Sequence, residues 1–224
     1  WQSTLGQLSA NSWQSCVGAS PMQGSKSRRN RTSAQRAIWG TTMHFARPAA
    51  ARIQPRQDLL EKIRERQRDS PVNAINVAAT LAHNKPLNRA FGPFAQAVLF
   101  EGGLSRRNVE IAVLRMGWNC QAVYEFGQHT VIGTSAGITD QEIERLMTEG
   151  VDGWSTNDAA LVTATDELVL EHCLSDASWA ALNRVWSTQQ VLDLIFAVGQ
   201  YTLVSTALRS LGVQLDEGAP GWPT

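Results

Sequence analysis

The stretch "SRRNVEIAVLRMGWNCQAVYEFGQHTVIGTSAG", Ser105 to Gly137, decides the fold. It reads as two consecutive helices: Ser105 is placed to cap the first, and Gly137 is a C-terminal stop for the second. Within the second, Glu125 and His129 are four residues apart, so their side chains share one face. Tyr124 and Gln128 form the neighbouring pair, and Gln121 falls one turn before Glu125. Ala122, Val123, Phe126, Val131 and Ile132 surround these polar residues and predict that much of the helix is buried, where an unpaired carboxylate is costly. Burial raises a carboxyl pKa and lowers that of an imidazole, while pairing acts in the opposite sense on both. The pair is thus a candidate proton donor and acceptor near neutral pH.

On the preceding helix, Glu110 is the charge in an apolar run of Val109, Ile111, Val113 and Leu114. It is a candidate third member of a proton relay, or a glutamate ion-paired with Arg106, Arg107 or Arg115. Cys120, alone beside a helix junction, reads more readily as a small buried residue than as a nucleophile. His83, His172 and Cys173 read as helix-end residues without the spacing of a metal site.

Outward from this core the helical pattern continues. "RQDLLEKIRERQRD", "VNAINVAATLAHN" and "LNRAFGPFAQAVLF" precede it, with Pro93 bending or restarting the third and Gly102-Gly103 closing it. Thr139 with Glu142 forms a capping box, Ser155 and Ser175 start the next helices, and Thr188 begins the long apolar "QQVLDLIFAVGQYTLVSTALRSLG". The expectation is an all-α domain of about nine helices joined by short turns. "GQHTVIGTSAG" from Gly127 also echoes "GQYTLVSTALRSLG" from Gly199, which suggests a duplicated helix pair about a local two-fold axis.

The chain has 224 residues, 43% hydrophobic and 18% charged, with a formal net charge of +0, which fits one globular core and no polyanionic partner. Apolar runs are interrupted by Gly, Gln, Arg or Asp, so no membrane span is expected. Residues 1–57 contain Lys26, Arg28, Arg29, Arg31, Arg36, Arg47, Arg52 and Arg56 and no acid. Residues 1–50 are expected to be a disordered or non-native extension, with 1–42 read as upstream translated sequence, a targeting segment or a basic arm. "SKSRRNR" has no interleaved aromatics, which argues against nucleic acid. Cys16, Cys120 and Cys173 lack any CxxC spacing, and free thiols in a reducing, cytoplasmic setting are expected.

With these motifs in view, residues 51–222 resemble the carboxymuconolactone decarboxylase/AhpD-like superfamily. "LAHNKPLNRAFGPFAQAVLF", the stretch from Leu104 to Ile143, "GWSTNDAALVTATDELVLEHCLSDASWAALN" and "GQYTLVSTALRSLGVQL" carry the likeness. The resemblance implies an AhpD-like helical bundle over residues 51–224, assembling as a homo-oligomer, trimer or hexamer. The hydroperoxidase branch carries a glutamate, then CxxC, then a histidine four residues after the second cysteine. In this chain those positions are Glu110, Ala122, Glu125 and His129, so both thiols are missing, and the attacking and resolving groups of peroxide reduction with them. The resemblance therefore leans to the decarboxylase branch, which needs no metal or organic cofactor. It implies a small-molecule substrate such as a carboxylated lactone, with His129 as general acid, Glu125 tuning it, Tyr124 donating to the lactone oxygen and Glu110 completing the relay. Arg107 or Arg115 would hold the substrate carboxylate, with Gln121 and Gln128 lining the site. A thiol peroxidase using Cys120 and a non-catalytic binding oligomer are the alternatives.

Overall fold

In a computed structural model, residues 47–68 and 74–223 are described, and among them are nine α-helices and no strand. In chain order these are α1 (Leu60–Arg66), α2 (Ile75–Leu81), α3 (Lys85–Gln96), α4 (Arg106–Asn119), α5 (Val123–Ser135), α6 (Asp140–Leu146), α7 (Thr156–Leu170), α8 (Asp176–Asn183) and α9 (Thr188–Leu211). The fold is all-α. The described residues from Arg47 onward belong to one compact unit. The expectation for residues 1–42 lies outside the described residues, as do residues 43–46.

The local signals place most helix starts. Ser105 Oγ accepts the Asn108 N–H at 3.3 Å, Ser155 that of Asp158 at 3.1 Å, and Ser175 that of Ser178 at 3.1 Å. Thr139 and Glu142 close their capping box reciprocally, at 3.3 and 2.9 Å. A second box, Ser187 with Gln190, opens α9. Pro93 stands inside α3, which widens after Gln96 into a π turn, Ala97–Glu101, before Gly102 ends it. A missing N–H and a ring against the preceding turn favour such a distortion.

Helix α4 is the axis of the domain. Every residue from Val109 to Gly117 is buried, and α5, α6, α7 and α9 all pack on it. A helix enclosed on all sides has no polar face, so its sequence is apolar around most of the circumference. Ile111, Leu114, Met116, Phe126, Leu161 and Leu194 form the centre of this core, each at most 1% exposed. Two glycines let α4 and α5 approach: a Cβ on Gly117 would lie 3.5 Å from the Phe126 nitrogen, and one on Gly133 would lie 3.2 Å from Leu114.

By length and apolar composition α9 meets the requirement for a bilayer span, contrary to the sequence expectation that no segment does. Its Val191, Leu194, Ala197, Val198, Tyr201 and Leu208 are buried in the bundle, which is how a core helix behaves. Leu192, Phe196 and Leu203 stand exposed on its other side.

The C-terminal segment crosses α5. Trp222 sets its ring 4.9 Å from Phe126 and 5.4 Å from Trp118, and a Cβ on Gly127 would come within 1.9 Å of the Pro220 carbonyl oxygen. Gly199, its counterpart in the sequence echo, has nothing within 4 Å. Gly127→Ala is therefore expected to lift this segment and lower stability by about 1–3 kcal/mol, as overpacking does. Gly199→Ala is expected to be neutral or stabilising by up to about 1 kcal/mol from helix propensity. Chemical denaturation of the two variants checks the contrast; equal effects would refute it.

Candidate active site

Glu110 projects from α4 with no exposed surface, and its charge determines its neighbours. Oε2 lies 2.6 Å from His129 Nδ1, and Oε1 lies 2.9 Å from Arg106 Nη2, one turn earlier on the same helix. On α5, Glu125 Oε2 stands 3.6 Å from the other imidazole nitrogen. His129 is thus flanked by two carboxylates. Tyr201 of α9 closes a third side, its ring edge-on to the imidazole with centroids 4.7 Å apart and planes at 86°. Glu125, His129 and Tyr201 are each 5–6% exposed. Arg106 reaches outward from this closed cluster, its side chain 31% exposed. Its guanidinium lies 5.0 Å from the exposed Phe100 ring and donates to the Leu99 carbonyl at 3.0 Å, both on the π turn.

The environment sets the proton affinities. Burial alone would lower the His129 pKa, but the Glu110 charge and hydrogen bond, helped by Glu125, carry it above its ordinary value. For Glu125, burial pushes the carboxyl up, and the Glu110 charge adds to this against the opposing pull of His129. Burial and the same two carboxylates also raise the Tyr201 phenol. Each of these groups holds its proton to higher pH than it would in water.

Glu110, Glu125 and His129 are brought together, whereas Tyr124, Arg107, Arg115 and Gln121 are placed elsewhere. Tyr124 donates its hydroxyl to Asp216, which also accepts the Asn76 N–H at 2.8 Å, so it is committed to the C-terminal segment rather than to a lactone oxygen. Burial, then the Asp216 hydrogen bond and charge, raise its pKa. Arg115 is locked in a fork on Asp166 at 2.6 and 2.8 Å and also donates to the Leu146 and Thr148 carbonyls. Arg107 is held between Asp158 and Glu142. Both arginines tie α4 to other helices, and neither is available as the expected carboxylate clamp. Gln121 is not on the α5 helix: the chain breaks at Cys120–Ala122, Gln121 takes φ +53°, and its amide bonds the Trp118 carbonyl at 2.8 Å. Gln128 is buried beside His129 on α5. Cys120 caps the end of α4, and burial pushes its thiol up despite a Thr202 hydrogen bond and the Arg209 charge, which does not favour a thiolate nucleophile.

Tyr201 is the member of the cluster that sequence reasoning missed. The echo between "GQHT" and "GQYT" contained the signal, since it sets Tyr201 at the position equivalent to His129. A surface concavity of about 340 Å³, lined by Arg56, Leu59, Ala82, Lys85, Asn88 and Arg89, includes none of these residues. The buried carboxylate–imidazole cluster, not that open basin, has the geometry for proton transfer.

Residues 85–167 match the carboxymuconolactone decarboxylase family, a span from α3 into α7 that contains Arg106, Glu110, Glu125 and His129 but stops short of Tyr201. Among solved structures, a variant of the debrominase Bmp8 in complex with 2,3,4-tribromopyrrole superposes with a TM-score of 0.62 at 13% identity, covering 75% of this chain and 93% of that one. The alkylhydroperoxidase AhpD core of a peroxidase-related protein from Ralstonia eutropha gives 0.60 at 21% identity over 71% and 86% of the two chains. A peroxidase-related protein from Silicibacter sp. gives 0.60 at 15%, covering 79% and 96%. No curated protein matches significantly. At these identities the structural likeness establishes the fold.

The raised proton affinities give a sign to the pH dependence of stability. His129 and Glu125 both have folded pKa values above their unfolded ones, so their contribution is fully present below the unfolded values, about 4.3 for Glu and 6.5 for His, and is lost as pH rises through the folded values. Denaturation midpoints should therefore fall from mildly acidic toward alkaline pH, with a shallower slope in Glu125→Gln. A slope unchanged by that substitution would contradict the assignment.

Proposed function

We propose that this chain, whose residues 85–167 match the carboxymuconolactone decarboxylase family, is a cofactor-free enzyme acting by general acid/base proton transfer on a carbonyl-activated small molecule, of which a carboxylated lactone is the leading candidate. The observation that carries the reading is His129 between two carboxylates, 2.6 Å from Glu110 and 3.6 Å from Glu125, the latter standing where the hydroperoxidase branch would carry its second cysteine.

In this reading the substrate carboxylate leaves as carbon dioxide, and the bonding electron pair delocalises into the adjoining unsaturated carbonyl. The protonated imidazole of His129 then delivers a proton to the resulting carbanionic carbon and is reprotonated from solvent. Glu110 holds the imidazole's orientation and stabilises its charge. Glu125, whose carboxyl is raised by burial, supplies the second proton-exchange partner. Tyr201 fixes the plane of the ring by edge-on packing. Peroxide reduction through Cys120 is the less favoured alternative, because the thiol is raised and has no resolving partner in a CxxC. Self-association through the exposed Leu192, Phe196 and Leu203 face of α9 belongs to the same proposal, supported by its apolar character.

Carbon dioxide release from carboxylated lactones should fall by about 10²- to 10⁴-fold in His129→Ala and persist in Cys120→Ser. Tyr201→Phe, which keeps the ring contact, should retain most of the rate, and Tyr201→Ala should not. Peroxide turnover that disappears with Cys120→Ser would overturn the reading.

A further inference from the structure

We propose that Arg106 is the receptor for the substrate's carboxylate, and that docking there couples substrate binding to the protonation of His129. The inference rests on the proton-transfer reading and identifies the group that selects an anionic substrate for it. Among the described arginines of α4, Arg107 and Arg115 each have their guanidinium forked onto a carboxylate. Arg106 differs in kind. Its contact with Glu110 is an ion pair at 2.9 Å, yet Glu110 Oε1 lies buried with no hydrogen-bond partner, so the guanidinium is near but not aligned on it. The same side chain is nearly one-third exposed, so it connects the closed cluster to the surface.

Its surroundings suit a planar anion. The exposed Phe100 ring lies beside the guanidinium, and the π turn that carries Leu99 and Phe100 is an irregular segment between α3 and Gly102. Such irregular helical turns allow local rearrangement more readily than the enclosed α4 does. A carboxylate presented from this side can meet the guanidinium in a two-point fork, flanked by an aromatic face.

The coupling follows from charge. The groups in contact with His129 are Glu110 from α4, Glu125 from its own helix and Tyr201 from α9, and Arg106 acts on it from beyond Glu110. Arg106 opposes protonation of His129 in the unoccupied site. A carboxylate that neutralises Arg106 removes that opposition, so the imidazole takes up a proton as the substrate arrives. The acid is therefore charged when it is needed.

Isothermal titration with 2-furoate, a planar oxygen heterocycle bearing a carboxylate, tests this without requiring turnover; the neutral 2-furamide is the control. The unaltered protein should bind furoate and not furamide, with proton uptake visible as a dependence of the heat on buffer ionisation. Arg106→Gln should weaken furoate binding by at least about tenfold, as loss of a charged fork does, and abolish the uptake. Arg106→Lys, which keeps the charge that Glu110 needs and so guards against misfolding, should bind with intermediate affinity. His129→Ala should bind furoate without uptake. Absence of furoate binding in the unaltered chain, equal binding of furamide, or full affinity in Arg106→Gln would overturn the proposal. Arg106-dependent binding without decarboxylation of any lactone would instead count against the proposed reaction and leave the receptor standing.

Discussion

A carboxylate with no exposed surface, Glu110, sits in the middle of the most enclosed helix of the protein, and the rest of the structure accommodates it. An uncompensated charge there would cost several kcal/mol. Compensation comes from two directions: Arg106 on the same helix and His129 on the next one. The second contact requires α4 and α5 to pass closely, and Gly117 and Gly133 leave the space for it. The hydrogen bond at 2.6 Å is thus both a packing restraint and the centre of the chemistry. Helix α9 completes the enclosure by placing Tyr201 against the imidazole, and the segment ending in Trp222 seals the outer side of α5.

The same compact arrangement separates two uses of arginine. Arg115 and Arg107 spend their guanidinium groups on bridges to α7 and α6, where a fork on a carboxylate rigidifies the helix crossing. Arg106 spends its own on a less aligned contact at the edge of the buried cluster. A site that must admit an anionic molecule benefits from such a difference, since a group already held in a bidentate fork can be recruited only by breaking that fork.

Much of the fold was legible because capping chemistry is local. Ser105, Thr139 with Glu142, Ser155 and Ser175 act on backbone N–H groups three residues away, and Gly137 at φ +91° ends α5 for the same local reason. The Glu125/His129 pair was legible from helical spacing, and Glu110 from being the charge in an apolar run. The arginines were not, because α4 is buried around its whole circumference and its sequence therefore gives no outward phase from which to tell Arg106 from Arg115. Gln121 was misplaced because its positive φ, uncommon for a non-glycine residue, breaks the helix within a stretch whose composition is helical throughout. Tyr124 was assigned to the site although its partner, Asp216, is 92 positions away. Tyr201 lies 72 positions beyond His129 by the numbering, and only the repeat of "GQ" followed by a ring-bearing residue hinted at their meeting.

A nuclear magnetic resonance titration of the His129 ring, with Glu110→Gln as the comparison, probes the imidazole poised between its two carboxylates. His129 is expected to titrate above the ordinary imidazole value of about 6.5 in the unaltered chain and to fall toward or below it when the Glu110 charge is removed. A ring that titrates below that value in the unaltered chain, or that does not respond to the loss of Glu110, would mean that the buried carboxylate does not hold the proton on His129.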